Sequence, residues 1–223
     1  MPTGPNVGVF VSQLPFWNSN MAQLLLFSDV HGDQDACRRL VERAAEADVV
    51  VGAGDFCVMR RNLQAPIDAL SAIETPTVLV PGNAESEEEL REACAGWAAA
   101  HVLHGDGCTV SGLSFYGIGG GIPVTPFGPW SYDFSEGEAE AMLADCPEGA
   151  VLVSHSPPKG AVDRDSSGQS LGSTAVRAVI EDQQPALTVC GHIHGSWGQD
   201  ADLAETPVVN AGPEGVFWEV DEG

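Results

Sequence analysis

The 223-residue chain is 43% hydrophobic and carries five tryptophans, enough apolar material for a sizeable core and against a disordered chain. Thirty-two acidic residues against nine basic ones leave a net charge of −23, with Lys159 the sole lysine. That balance argues against long nucleic acid as a partner, since phosphate backbones are held by basic footprints, and reads instead as a surface adapted to concentrated salt.

Residues 1–20 lack Lys and Arg and contain Pro2, Pro5 and Pro15, so they do not read as a secretion signal. They read as a poorly ordered tail or a misplaced start, with one domain over 21–223. No apolar run is long enough to span a bilayer, so no membrane partner is expected. The six cysteines (Cys37, Cys57, Cys94, Cys108, Cys146, Cys190) stand singly, without a CxxC pair. They read as reduced, which places the chain in the cytoplasm and argues against a zinc-thiolate site.

Strand and helix then alternate. Leu24–Ser28 reads as a short strand and Asp29 to Asp33 as the turn after it. Asp35–Ala47 has helical spacing, with Leu40, Val41 and Ala44 on one side. Val49 to Val51 is the next strand, ending at Gly52-Ala53-Gly54-Asp55. A helix over Asn62–Ile73, a strand over Thr77–Val80 and the turn Pro81-Gly82-Asn83 follow, and Ser86 opens a helix with three acidic first-turn residues. This repeat implies parallel strands with right-handed crossovers, whose carboxyl ends collect ligands.

The second half is different. His101–His104, Cys108–Val110 and Leu113–Ile118 read as short strands, with Asp106-Gly107 as a hairpin turn. The stretch 119–134 is irregular and holds Pro123, Pro126 and Pro129; loops of this length in a small domain are usually functional or disordered. Val151–Ser154 and Leu187–Cys190 read as strands, Gly172–Asp182 as a helix, and 207–220 as two more strands.

Short segments at or near these strand ends carry the chemistry: Asp29-Val30-His31, Gly54-Asp55, Gly82-Asn83, Ser154-His155 and Gly191-His192-Ile193-His194 supply imidazoles, carboxylates and an amide. Most of them are ordinary turn or core residues in isolation; Gly191-His192-Ile193-His194 is the stronger signal, because two histidines on one side of a strand end can reach the same site. Together, in this order, they have the ligand types and number for two adjacent divalent ions. A carboxylate such as Asp55 can bridge two cations, and the neutral carbonyl of Asn83 leaves net positive charge for an anionic substrate. Two such ions about 3.5–4 Å apart clamp a phosphate in line with an attacking hydroxide, so the set points to phosphoester hydrolysis.

The series resembles the calcineurin-like metallophosphoesterase superfamily, whose pattern is Asp-x-His, Gly-Asp, Gly-Asn-His-Asp/Glu, His and Gly-His-x-His. The resemblance runs from Leu24 to about Gly215, and Ser154-His155-Ser156-Pro157-Pro158 with Asn210-Ala211-Gly212-Pro213 looks most like the small Icc-like group. It implies an α/β (α+β) four-layer αββα sandwich, two mixed β-sheets flanked by helices. It implies one metal held by Asp29, His31, Asp55 and His194, and a second by Asp55, Asn83, His155 and His192. Manganese leads as the expected metal, with iron, nickel, cobalt or zinc compatible. Asp55 and Asn83 are the catalytic candidates, acting through a metal-bridging hydroxide on a small phosphorylated molecule such as a nucleotide.

One departure matters. Where the family has histidine after the asparagine, credited with protonating the leaving group, this chain has Ala84. The alternative function is therefore a catalytically weak or inactive metal-dependent binding or scaffold protein. Glu85 reads as a capping or surface carboxylate, His101 and His104 as surface or strand-edge histidines. Phe127 and Trp130 are candidates for stacking on substrate, and Lys159 and Arg164 for meeting its phosphate. A homo-oligomer is compatible with the sequence.

Overall fold

Eleven strands and five helices are arranged as two facing sheets with helices on the outer sides, in a computed structural model that describes residues 21–221. The expected tail over 1–20 lies outside the described residues. The first sheet has the order β11-β1-β2-β3-β4, with β1 (Met21–Phe27), β2 (Val49–Gly52), β3 (Thr77–Leu79) and β4 (Ala100–Val102) mutually parallel. Strand β11 (Val216–Asp221) runs antiparallel to β1, closing that edge with the chain's C-terminal segment. The second sheet has the order β5-β6-β7-β8-β10-β9. In it β6 (Leu113–Ile118), β7 (Val151–Ser154), β8 (Leu187–Cys190) and β10 (Thr206–Asn210) are parallel, while β5 (Asp106–Val110) and β9 (Gln199–Leu203) are antiparallel edges.

Three apolar layers hold this together. Leu24, Leu26, Val51 and Val78 of the first sheet meet Phe115, Val151, Val153 and Val189 of the second in the central layer. The outer face of the first sheet, with Leu25, Phe27 and Val50, packs on α1 (Gln34–Ala44), α2 (Gln64–Leu70) and α3 (Glu87–Ala93) through Leu40, Ile67 and Leu90. The outer face of the second, with Tyr116 and Leu152, packs on α4 (Glu136–Leu143) and α5 (Thr174–Gln183) through Leu143, Val176 and Ile180. Because both faces of each sheet are covered, the central strands are continuous apolar runs and not alternating ones.

Local chemistry sets the helix starts. The Asp33 carboxylate accepts from the N–H groups of Asp35 and Ala36 at 2.8 and 3.1 Å, so α1 begins one residue earlier than its apolar spacing suggests. Ser86 and Glu89 form a reciprocal capping box on α3, as Ser135 and Glu138 do on α4. Helix α4 is absent from the sequence expectation because it buries only Ala139 and Leu143, too thin a stripe to give a period. Strand β9 is absent for a similar reason: only Leu203 of its five residues is buried.

Two further expectations are corrected. Asp106-Gly107 is no turn; it opens β5, paired with Gly117 and Tyr116. The hairpin turns at Ser111-Gly112, where both residues take positive φ (48° and 82°), the backbone a tight hairpin needs. Strand β4 belongs to the first sheet and not with the hairpin that follows it. The consequence for function is directional: the parallel strands β1, β2, β3, β7 and β8 all deliver their carboxyl ends to one edge of the sandwich.

Candidate metal centre

At that edge β1 delivers Asp29 and His31, β2 delivers Asp55, β3 delivers Asn83, β7 delivers His155, and β8 delivers His192 and His194. They form two groups of donor atoms, Asp29 with His31 and His194, and Asp55 with His155 and His192. In the first, His31 Nε2 and His194 Nε2 face each other at 3.2 Å, and Asp29 Oδ1 stands 3.9 and 3.7 Å from them. In the second, His155 Nε2 is 3.4 Å from Asp55 Oδ1 and 3.3 Å from Asn83 Oδ1. Asp55 lies between the groups, its other oxygen 3.6 Å from His31 Nε2. A separation near 3.2 Å is what two donors each about 2.1 Å from a common centre adopt at an angle of roughly 100°. The donor set therefore fits divalent ions, with Asp55 offering one oxygen to each side.

The backbone is strained where these side chains leave it. Asp29, His31, Asp55 and His192 all have φ between 45° and 66°, a left-handed conformation that costs a non-glycine residue on the order of 1–3 kcal/mol. Surrounding hydrogen bonds enforce it. Asp29 N donates to Gly54 O at 2.9 Å, His31 N to Asp55 O at 3.0 Å, and His192 N to the Asp29 carboxylate at 3.1 Å. Turns at adjacent strand ends thus hold one another. They pack so closely that a Cβ at Gly82 would collide with the Asp55 backbone and carboxylate.

Behind the donors stands a set of partners with no counterpart in the sequence expectation. His155 Nδ1 lies 2.7 Å from Ala53 O and His31 Nδ1 3.0 Å from Cys57 O. Each carbonyl accepts a hydrogen bond from Nδ1–H, which leaves the Nε2 lone pair facing the site. Trp197 Nε1 donates to Asp29 Oδ2 at 3.1 Å while its ring lies against His194, centroids 4.1 Å apart. Its only signal is its place three residues after His194, in the one-turn 3-10 helix His194–Ser196 and its cap. Asn83 Nδ2 donates to Ser131 Oγ at 3.0 Å, and Ser131 donates to Asp133 Oδ1 at 2.7 Å, so the 119–134 loop turns the Asn83 carbonyl toward His155.

Glu85 is the largest correction. It is 0% exposed, neither cap nor surface group. Its carboxylate accepts from the N–H groups of Asp55 (2.8 Å), Phe56 (3.3 Å), Cys57 (3.3 Å) and Gly82 (2.7 Å), tying the β2 and β3 turns into one unit. The capping role falls to Ser86, one residue on.

Charge at the site follows from burial. Burial pushes the His192 imidazole down to about 3, helped by the nearby His155, so His192 is a neutral donor at any ordinary pH. Burial raises the carboxyl of Asp29, with Asp55 adding to it. Burial would lower His155, but the carboxylates of Asp55 and Asp29 outweigh it and raise it. Burial and the Asp55 charge push Glu85 up to about 7 against the pull of its backbone donors. These are the perturbations expected where like charges are gathered to receive cations.

A cleft of about 860 Å³ opens over the donors, with His31, Asp55, Asn83, His192 and His194 on its floor. Phe127 and Trp130 form part of its wall, their rings stacked with centroids 5.8 Å apart. Ala84 also lines it. Arg164 does not; its guanidinium donates to Gly168 O at 2.8 Å on an exposed turn, and Lys159 donates to Ser170 O at 2.7 Å. His104 is not a surface histidine but half-buried beside the rings of Tyr132 and Phe134, its Nδ1 accepting from Gly119 N at 3.0 Å.

Residues 22–216 match the family described as the calcineurin-like phosphoesterase superfamily domain. Metallophosphoesterase domain-containing protein 1 of Homo sapiens is 32% identical over 141 residues, 60% of this chain and 39% of that protein. Its Mus musculus counterpart matches equally, so the chain aligns with about two fifths of these curated relatives' length. Among solved structures, TT1561 of Thermus thermophilus superposes with a TM-score of 0.71 at 20% identity, covering 91% of this chain and all (100%) of that one. A dimetal phosphatase from Danio rerio superposes with a TM-score of 0.60 at 15% identity, covering 92% and 97% of the two chains. These likenesses show the same sandwich.

Proposed function

The chain belongs to the calcineurin-like phosphoesterase superfamily, and from that membership we propose that it is a two-metal phosphoester hydrolase acting on a small phosphorylated molecule. The observation that carries the reading is the shared carboxylate: Asp55 stands between two donor groups and turns one oxygen to each. Asp29, His31, Asp55 and His194 would hold one ion, and Asp55, Asn83, His155 and His192 the other. Two divalent ions held there lower the pKa of a water and neutralise charge developing on the phosphate.

The chain's own residues set the rest. Mixed nitrogen and oxygen donors suit manganese, with iron, cobalt, nickel and zinc as competitors. Asn83 presents a neutral oxygen and is held to that orientation by Ser131. Ala84, next to it on the cleft wall, has no proton to give, so the leaving group departs without side-chain help from that position. Hydrolysis should therefore depend steeply on leaving-group basicity. Placing the missing acid with Ala84→His is expected to speed hydrolysis of an alkyl phosphate ester by roughly 10²–10⁴-fold and that of a nitrophenyl ester far less. Equal effects on the two esters would remove Ala84 from the account.

Release of p-nitrophenolate from bis-p-nitrophenyl phosphate, measured with manganese and with chelator, tests the function directly. Metal-dependent release supports the hydrolase. Two bound ions per chain without release favour the second reading, a metal-dependent binding protein, for which Ala84 is the one observation. The full donor set speaks against complete decay of the site, because a site relieved of metal has no physical use for so many strained turns; turnover is what separates the two readings.

The proposal extends to one domain over 21–223 and to a cytoplasmic protein; among the described residues no helix is long and apolar enough to cross a membrane. The acidic surface is read as salt-adapted. The melting temperature is expected to rise as salt increases from near zero to molar concentrations, because screening relieves the repulsion of a net charge of −23. A melting temperature indifferent to salt would reject this.

A further inference from the structure

Among the described residues, exposed large apolar side chains are concentrated in one place. Of the six large hydrophobic residues found exposed among the described residues, five line the cleft: Val58, Met59, Val124, Phe127 and Leu171. Phe127 is 51% and Val124 63% exposed. A patch of this kind, continuous with a floor of polar donors, marks the seat of a ligand whose reacting end is polar and whose remainder is apolar. Trp130 and Phe127 already lie nearly parallel, 10° apart, and offer a flat aromatic face to a planar group.

The charge of the cleft is as specific. None of the nine Lys and Arg residues lines it, and Asp165 does. The cations are held elsewhere: Arg39 by Glu214, Arg60 by Glu89, Arg91 by Glu87 and Arg177 by Glu181. The donor set contains two carboxylates, Asp29 and Asp55, so two divalent ions would leave about two positive charges, all at the floor. A phosphate group anywhere else in the cleft would meet no cation and the field of a strongly acidic protein.

We propose that the substrate is a phosphodiester with a single negative charge, whose ester group retained on phosphorus carries an aromatic ring system seated on Phe127 and Trp130, and which bears no second phosphate. The inference rests on the hydrolase reading and narrows it. In the reaction the oxygen of water bonds to phosphorus and one ester P–O bond breaks. The departing oxygen takes up a proton, giving a phosphomonoester and an alcohol or phenol.

Three probes with one leaving group separate the parts of the proposal: methyl p-nitrophenyl phosphate, thymidine 5′-(p-nitrophenyl phosphate), and the same nucleoside diester with an added 3′-phosphate. The second is expected to exceed the first in kcat/KM by roughly 10–100-fold, the value of stacking one ring on an aromatic platform. Phe127→Ala and Trp130→Ala should each bring that ratio toward one. The third is expected to fall at least about tenfold below the second. Equal values for the first two probes, or a third probe as good as the second, would overturn the proposal. A calorimetric readout stands apart from turnover: diphenyl phosphate should bind the manganese-loaded protein roughly tenfold or more tighter than dimethyl phosphate, and Trp130→Ala should shrink the gap. Absence of nitrophenolate from all three probes counts against the hydrolase reading, while the calorimetric comparison still decides the aromatic seat.

Discussion

Asp55→Asn is expected to lower metal-dependent turnover by about 10³-fold or more and to reduce bound manganese from two ions per chain toward one. The substitution keeps shape and backbone. Asparagine tolerates the left-handed φ of 59° found there as well as aspartate does, so the fold should persist. What it removes is the second anionic oxygen. Oδ1 faces His155 and accepts from Ala84 N at 2.8 Å, while Oδ2 faces His31; an amide can serve only one side with a lone pair. The loss of several kcal/mol of charge stabilisation, at about 1.36 kcal/mol per factor of ten, gives the stated magnitude. Hydrolysis of bis-p-nitrophenyl phosphate and metal content by atomic absorption measure the two effects together. Turnover within tenfold of the parent, with two ions retained, would show that Asp55 is not the shared donor.

Glu85→Ala is expected to destabilise the fold by about 3–5 kcal/mol, enough to lower the melting temperature by roughly 10 °C. Four backbone N–H groups from two turns converge on this one carboxylate in a fully buried place, and alanine leaves them without that acceptor. Glu85→Gln keeps an acceptor and should lose about half as much. Both follow from thermal melts by circular dichroism, and a shift below about 2 °C for Glu85→Ala would deny the residue its structural role.

The candidate donor residues are legible in the sequence because each sits in a turn at or near the end of an apolar run, and their order along the chain repeats a known pattern. The β1–β3 half is equally legible, since buried parallel strands announce themselves as short runs such as Val49-Val50-Val51. Glu85 misleads because its sequence neighbourhood, Ser86 and three glutamates, looks like any helix start; its burial depends on turns 30 residues away. Trp197 and Ser131 escape notice for the same reason: their partners Asp29 and Asn83 lie 168 and 48 residues off, beyond any local pattern. Helix α4 carries a readable cap, Ser135 to Glu138, but no apolar period to go with it.

Asp29 and His192 touch although 163 residues separate them, and the strand ends that bear the donors come from both sheets. No contiguous segment holds a complete set, so ions at the proposed centre could not template an early stage of assembly and would bind only once the two halves have met. Thermodynamic linkage would then make metal supply a reserve of stability: free ion at a hundred times its dissociation constant would add about 2.7 kcal/mol per proposed site. Chelation would loosen the seam between the sheets as well as silence the chemistry, and the chain's resistance to proteolysis would track the metal available to it.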